Sequence, residues 1–421
     1  MKYYLVGIKG TGMSSLAKML QGEEHQVVGS DTDEYYFTED SLREKQIPIF
    51  SFDKANIQGD AFYIIGNAFH QDNNEEVKEI MNDQYPYAYY HDFIGQHLHK
   101  KIFAVAGTHG KTTTSYFLAE MLDKKCNYII GDGEGDSYPS EYLILEACEY
   151  QSHFLSYHPE WLIINNIELD HTDYYKSKKQ LLHAFQQFAS QAKTVLINGD
   201  DPLASKIKHP KKLTFGFGKK NDIQIKILST TAHCYYIQVN YFGHLYLKVP
   251  YLGRHMIYNY VASYMTLYLN GFTPQTLTKE QLPHRRLTTY IYHNSILIDD
   301  YAHHPTEIKA LYETLRLQYP NCKVNAIFQP HTYERTFHFK KEFIQALKLY
   351  DNVYLLDVFS SKREKTSQKL QDKVNKIFSY FSTIQELDIN QIGKKEEVWV
   401  FLGAGKANHI LKAILENKSV E

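Results

Sequence analysis

Val105-Ala106-Gly107-Thr108-His109-Gly110-Lys111-Thr112-Thr113 is the stretch that decides how this chain folds. Residues 102–106 before it form an apolar run of strand length, and residues 112–122 after it read as a helix. A strand, a glycine-rich turn and a helix in that order is the setting of a phosphate-binding loop. Glycines let backbone N–H groups converge on phosphate oxygens at the helix N-terminus. Lys111 adds a point charge for the outer phosphates, and the Thr112 hydroxyl can join a magnesium shell. The loop is a shortened variant built on Gly107 and Gly110, with Val105 where the longer form places its first glycine. The competing reading, an ordinary strand–helix turn, is disfavoured by the flanking strand and helix.

Toward the N-terminus the chain alternates again. Residues 3–8, 25–29 and 61–65 read as strands and 13–20 as a helix, which argues for a parallel α/β sheet. Gly7-Ile8-Lys9-Gly10-Thr11-Gly12-Met13-Ser14 follows the first strand and opens the helix, with Gly29-Ser30-Asp31 beyond the second strand. This is close to a dinucleotide fingerprint but spaced G-x-x-G-x-G, so a nicotinamide-dependent dehydrogenase is the competitor. Two phosphate sites in one chain favour a nucleotide diphosphate at the first and a nucleoside triphosphate at the second.

Toward the C-terminus, 142–146 and 161–167 read as further strands of the central sheet. Glu146-Ala147-Cys148-Glu149-Tyr150 and Asn166-Ile167-Glu168-Leu169-Asp170-His171 leave their ends, at the carboxyl edge where α/β proteins bind ligands. A phosphate loop needs a carboxylate there for Mg2+, and Glu146 is the candidate. His171 could ligate a second cation or orient substrate. Residues 222–249 change to polar–apolar alternation, as in antiparallel strands at one side of that sheet. A third unit starts near 282–286, with strands at 296–299, 324–328, 353–356 and 398–402. The expected domains are 1–99, 100–282 and 283–421.

Composition narrows the function classes. With 46 basic and 48 acidic residues, the chain has no positive surplus to attract nucleic acid or a membrane surface. Cys126, Cys148, Cys234 and Cys322 form no C-x-x-C pair, which leaves neither a zinc knuckle nor a redox motif. Their wide spacing suits reduced cytosolic thiols. The start runs straight into the glycine loop without a signal peptide's apolar stretch, and no run is long enough to span a bilayer. A cytoplasmic location, where ATP is plentiful, is expected. The scattered tyrosines read as half-buried packing.

Taken together the motifs resemble the Mur ligase family, and within it the alanine-adding, Gram-positive type. The resemblance runs collinearly through residues 6–15, Gly29-Ser30-Asp31, Gly66-Asn67-Ala68-Phe69, 107–113, 146–150 and His153-Phe154-Leu155. It continues through 166–174, Gly253-Arg254-His255 with Asn259, Arg285-Arg286, 299–308 and 328–336. It implies an α/β protein of three domains: a Rossmann-like N-terminal domain for the UDP-sugar, a P-loop ATPase central domain with a mostly parallel sheet, and a Rossmann-like C-terminal domain. It implies an ATP- and Mg2+-dependent, ADP-forming ligation of L-alanine to UDP-N-acetylmuramate through an acyl phosphate, in peptidoglycan synthesis. A sister ligase that attaches a recycled peptide, or a non-catalytic UDP-sugar-binding paralogue, are the alternatives.

By matched position, Gly107, Thr108, His109, Gly110, Lys111, Thr112 and Thr113 would hold ATP phosphates. Thr112, Glu146 and His171 would be metal ligands. His255 and Asn259 would lie near adenine and Asp300 near ribose. Arg286 would meet ATP phosphate, and His304, His331 and Arg335 would line the pocket for γ-phosphate, muramate carboxylate and amino acid. Gly10, Thr11, Gly12, Ser14, Ser30, Asp31 and Asn67 would serve the UDP-sugar. His171, His303 or His304 would relay the amine proton. Without the resemblance, Arg285-Arg286 and Lys362-Arg363 read as solvated basic surface. The chain departs from the family pattern at Lys9 (commonly glycine), Asn165 (threonine), Met256 (polar), Leu287 (phenylalanine) and Lys406 (aspartate).

Overall fold

Three successive sheets organise the computed structural model, which describes residues 1–359 and 367–416. Lys362 and Arg363 lie outside the described residues. The first sheet contains β1 (Lys2–Val6), β2 (Gln26–Asp31), β3 (Ile49–Ser51), β4 (Phe62–Ile65) and β5 (Tyr87–Tyr89), with α1 (Thr11–Gly22), α2 (Thr38–Glu44), α3 (Glu75–Asn82) and α4 (Tyr90–His97). Its strands are parallel in the order β3-β2-β1-β4-β5. The order reverses at β1, so a crevice opens beyond its carboxyl end, where the first glycine loop sits. β1 stops two residues short of the expected strand. Gly7 turns at φ +83° and donates its N–H to the Ser30 carbonyl at 2.8 Å.

The second sheet comprises β6 (Lys101–Ala106), β7 (Asn127–Ile129), β8 (Gly135–Asp136), β9 (Tyr142–Glu146), β10 (Trp161–Ile164), β11 (Thr194–Asn198), β12 (Lys212–Gly216), β13 (Ile223–Thr230), β14 (Tyr235–Asn240) and β15 (His244–Val249). Its order is β15-β14-β13-β12-β11-β10-β6-β9-β7-β8. The strands from β7 through β13 run parallel, and the antiparallel pairs lie at the two edges. Alternation along β6 feeds two cores. Ile102, Ala104 and Ala106 pack with α1 and α6 (Lys178–Gln191 once α5, Lys111–Met121, is counted), while Phe103 and Val105 pack with α5 and α7 (Arg254–Leu269). Burial on both faces is why these parallel strands are continuously apolar in sequence. The first of those cores also takes in Leu5, Ile8 and Met13, so the first two sheets share one apolar interior.

The third sheet holds β16 (Thr288–Tyr292), β17 (Ser295–Asp300), β18 (Lys323–Phe328), β19 (Asn352–Leu355), β20 (Ser382–Thr383) and β21 (Glu397–Leu402), ordered β16-β17-β21-β18-β19-β20. Only β16 among these pairs is antiparallel. Its helices are α8 (Pro305–Gln318), α9 (Tyr333–His338), α10 (Lys340–Leu347), α11 (Gln368–Ile377) and α12 (Ala407–Leu415). Among the described residues no helix is long and apolar enough to cross a membrane.

Candidate active site

The site begins where β6 turns into α5. Gly107 (φ +141°) and Gly110 (φ +78°) hold backbone conformations that side chains disfavour. A Cβ on Gly110 would also stand 2.7 Å from Asn259 Oδ1, so α7 supports the loop from behind. Lys111 donates to the Gly107 carbonyl at 2.6 Å and the Thr108 carbonyl at 3.3 Å, and pairs with Glu149 Oε2 at 2.9 Å. The Glu149 side chain is only 2% exposed. Burial alone would push its carboxyl up, but Lys111 and then His171 hold it down at about 2. Burial likewise opposes charge on Lys111, and Glu149 outweighs it and raises the pKa.

Glu149 was absent from the expected set, although it lies in the quoted 146–150 run. Spacing could not tell which carboxylate of that run meets the lysine. His171 Nε2 lies 3.6 Å from Glu149 Oε1, so the structure brings His171 to Glu149. Glu146 instead accepts from the Thr112 hydroxyl at 3.2 Å and the Gly131 N–H at 2.8 Å. A carboxylate beside a hydroxyl is the hard-oxygen donor set that suits Mg2+.

A second cluster joins the central and third domains. His109 Nε2 is 3.1 Å from Glu168 Oε2, and its Nδ1 is 3.3 Å from Glu307 Oε1. Burial would lower the His109 pKa, but the two carboxylates hold it at about 9. His109, Glu168 and His304 bring potential ligand atoms within 4.8 Å of one another. With both ring nitrogens set on carboxylate oxygens and the pKa raised, an imidazolium strut is the reading that fits.

His304 caps α8. Its Nδ1 accepts the Thr306 N–H at 3.3 Å, while Glu307 accepts the N–H groups of His303 at 3.0 Å and His304 at 3.2 Å. Histidine, proline and glutamate at 304, 305 and 307 thus start the helix by a capping box. Burial lowers the His304 pKa to about 4. The ring is therefore neutral, and the bond to Nδ1 leaves the proton on Nε2, which is buried without a partner among the described residues. Such a donor is costly unless a ligand acceptor meets it.

Arg335 donates to Asp170 Oδ1 from Nε at 2.9 Å and to Oδ2 from Nη2 at 3.1 Å, and its Nη1 lies 3.0 Å from His331 Nδ1. Burial opposes the Asp170 charge, but Arg335 holds the carboxyl far below its usual range. Asp170 and Glu307 were also missed as site residues, because each finds its partner across a domain boundary, and Glu168, which meets His109 within the central domain, lay unassigned in the quoted 166–171 run.

Arg285 and Arg286 are not a solvated surface pair. Arg285 binds Asp299 at 3.2 Å and the Gly403 carbonyl at 2.6 Å, and both guanidinium groups lie over the Tyr301 ring, at 5.3 and 5.2 Å. Asp300 is buried, and its oxygens accept the Leu287 and Ala302 N–H groups, each at 2.9 Å. Burial pushes its pKa up to about 6. A cavity of about 370 Å³ opens at the hinge, lined by Tyr251, Leu252, Pro283, Leu287 and, among the expected site residues, Arg286. His255, in the first turn of α7, is held neutral by burial and by Arg286, with a pKa of about 4.

Three family models match consecutive parts of the chain: "Mur ligase family, catalytic domain" at 2–102, "Mur ligase middle domain" at 105–267 and "Mur ligase, glutamate ligase domain" at 285–405. A UDP-N-acetylmuramate–L-alanine ligase of Streptococcus equi subsp. zooepidemicus is 38% identical, over 96% of this chain and 94% of that protein. The Streptococcus gordonii enzyme of the same name is 39% identical over the same shares. The chain belongs to the Mur ligase family. Among solved structures, the UDP-N-acetylmuramate-alanine ligase MurC of Thermotoga maritima superposes with a TM-score of 0.80, at 25% identity and 99% coverage of both chains. A murein peptide ligase from Psychrobacter arcticus shares the fold, with a TM-score of 0.72 and 19% identity.

In this Mur ligase the first glycine loop is braced from below. Asp31 accepts the N–H groups of Lys9 at 2.7 Å and Thr32 at 2.8 Å. Ser30 is fully buried and its hydroxyl donates to Glu76, which braces the loop. Ser14 is equally buried, whereas Gly10 and Thr11 reach solvent. Asn67 donates to His153 at 3.0 Å and accepts from His91 at 2.9 Å, two rings stacked 4.4 Å apart across the first domain boundary. The departures from the family pattern are absorbed locally. Asn165 donates to the Thr114 hydroxyl at 2.9 Å, Met256 joins the core, and Leu287 packs at the hinge. The backbone N–H of Lys406 donates to Gln329.

The His109 strut gives a pH prediction. A pKa of about 9 in the folded state stands above the ordinary 6.5. Its stabilisation is therefore complete below the ordinary value and is lost as pH rises through about 9. Melting temperature should fall across that window in the parent and stay flatter in His109→Asn. Parallel pH profiles for the two would remove the strut from the account.

Proposed function

We propose that this Mur ligase joins L-alanine to UDP-N-acetylmuramate in peptidoglycan synthesis, with ATP converted to ADP. The observation that carries the reading is the joining of the Lys111–Glu149 loop and the Thr112–Glu146 pair to His304 and Arg335 of the third domain. The names of the streptococcal and Thermotoga relatives support the substrates. Domains of 1–99, 100–282 and 283–421 then divide the work into UDP-sugar binding, ATP binding and closure, in the cytoplasm.

The muramate carboxylate oxygen attacks the γ-phosphorus of ATP, the bond to the β-phosphate oxygen breaks, and ADP leaves. The neutral alanine amine then attacks the acyl carbon, the carbon–oxygen bond to phosphate breaks, and inorganic phosphate departs. A nearby neutral histidine takes the amine proton; His303 is held near a pKa of about 4 by burial, and its Nδ1–H on the Tyr301 carbonyl leaves Nε2 as the acceptor. Lys111 neutralises charge on the transferring phosphoryl group. Glu146 and Thr112 would hold Mg2+, with His171 nearby, and the bound ion would supply further charge neutralisation at the phosphates. The Nε2–H of His304 meets a phosphoryl or carboxylate oxygen. Arg286 approaches the ATP phosphates, His255 and Asn259 flank the adenine, and Asp300 lies toward the ribose. Closure of the third domain keeps water from the acyl phosphate.

The direct test mixes protein, ATP, Mg2+, UDP-N-acetylmuramate and L-alanine and measures ADP. ADP release is expected only with all components, and release independent of alanine or of the UDP-sugar would refute the reading. Glu146→Gln, which removes a charged oxygen ligand, is expected to raise the Mg2+ needed for half-maximal rate by about tenfold or more. An unchanged Mg2+ titration would move the cation away from Glu146.

A further inference from the structure

Lys9, where the family commonly has glycine, sits inside the glycine loop read above as the UDP-sugar site. Its position invites the view that it offers charge to a diphosphate. The structure turns it the other way. Lys9 is 6% exposed. Its ammonium donates to the Thr32 carbonyl at 2.9 Å and the Glu34 carbonyl at 3.0 Å, and pairs with Glu39 Oε2 at 2.7 Å. An ammonium has three protons, so these acceptors use all of them. The Lys9 carbonyl also accepts the Thr38 hydroxyl at 2.5 Å, and its N–H donates to Asp31. Glu39 is completed by Arg43, whose Nη2 lies 2.6 Å from Oε1. Hydrogen bonding to Lys9, then to Arg43, lowers the Glu39 pKa.

Residues 32–37 lie between β2 and α2 with neither helix nor strand, so no ladder fixes them. The buried cation ties their inner backbone to the glycine loop, alongside the local bonds of Asp33 to Ser51 and Tyr35 to Asp40. The outer side of the same segment shows three consecutive aromatics, Tyr35 at 58%, Tyr36 at 40% and Phe37 at 48% exposure. Exposed consecutive rings beside a phosphate-type loop form a wall on which a flat base or sugar face can pack.

We propose that Lys9 is a positioning residue for the diphospho-sugar substrate: it ties residues 32–39 to the glycine loop and so holds the Tyr35–Phe37 aromatic wall in place. The proposal rests on the reading of that loop as the UDP-sugar site. Substitution Lys9→Met keeps the bulk and removes the charge. Losing three charge-assisted bonds is expected to raise the KM for UDP-N-acetylmuramate by about tenfold or more, with the KM for ATP and for alanine and kcat within about twofold. Amide hydrogen exchange of residues 32–39 in the ligand-free protein is expected to quicken. The double variant Lys9→Met with Glu39→Gln, which leaves no unpaired buried charge, guards against a folding defect. It should melt near the parent temperature yet keep the raised KM and the fast exchange. A KM rise shared equally by all three substrates, or unchanged exchange in 32–39, overturns the proposal. Fast exchange with no UDP-sugar turnover even in the parent would locate the failure in the site reading instead, and overturns the substrate part of the proposal.

Discussion

Lys111→Ala is expected to lower kcat for ligation by about a thousandfold or more, with UDP-sugar binding unchanged. Removal of a single preorganised charge donor from a transition state costs on the order of 10²–10³ in rate. Lys111 is both that donor and the loop's own organiser, through its bonds to Gly107 and Thr108. The same change strands Glu149, 2% exposed, leaving it His171 as its ion-pair partner among the described residues. Breaking a buried pair from one side costs about 3–5 kcal/mol, so the variant should also melt at lower temperature. Lys111→Met with Glu149→Gln removes both charges and is expected to regain most of that stability while remaining inactive. Recovery of activity together with stability would mean that the lysine acts only through folding. Untouched peptide-bond formation in Lys111→Ala would remove the phosphate loop from the mechanism.

Arg335→Ala should produce the other large effect, and mainly on closure. The guanidinium and Asp170 are both buried and come from different domains. Truncation leaves Asp170 charged and buried if the domains stay closed, at about 3–5 kcal/mol. Opening returns the carboxylate to water, so the protein escapes the cost by shifting toward an open arrangement. The expected readouts are a larger radius of gyration by small-angle scattering and a fall of about 10²–10³ in kcat/KM. Because Arg335 also contacts His331, the KM for alanine is expected to rise more than that for ATP. A variant with the parent's scattering profile and kinetics would leave Asp170–Arg335 as packing without a role in catalysis.

The strands and helices around the loops were legible because their signals are local. The apolar run ahead of Gly107 and the periodic run after Lys111 need no partner to be recognised, and β13–β15 announced themselves by alternation. The errors lay at ends. β1 and β10 were read as too long, since Gly7 turns the chain and β10 closes at Ile164, ahead of the polar Asn165 and Asn166. Among the site residues, Lys111, Thr112 and Glu146 follow from a lysine at a helix start and a carboxylate at an adjacent strand end, and the structure sets Thr112 beside Glu146. The buried bond of Ser30 to Glu76 could not be read from the sequence, because the two lie 46 residues apart.

Sequence by itself determined the three α/β units, the two glycine loops and the chemistry those loops invite, because periodicity and turn chemistry act over a few neighbouring residues. Tertiary structure alone decided which carboxylate meets which cation: Glu149 for Lys111, Asp170 for Arg335, Glu39 for Lys9, and both Glu168 and Glu307 for His109. Coulomb attraction and burial depend on distance in space, and residues 165 positions apart in the chain become hydrogen-bonded neighbours only through the packing of the folded chain.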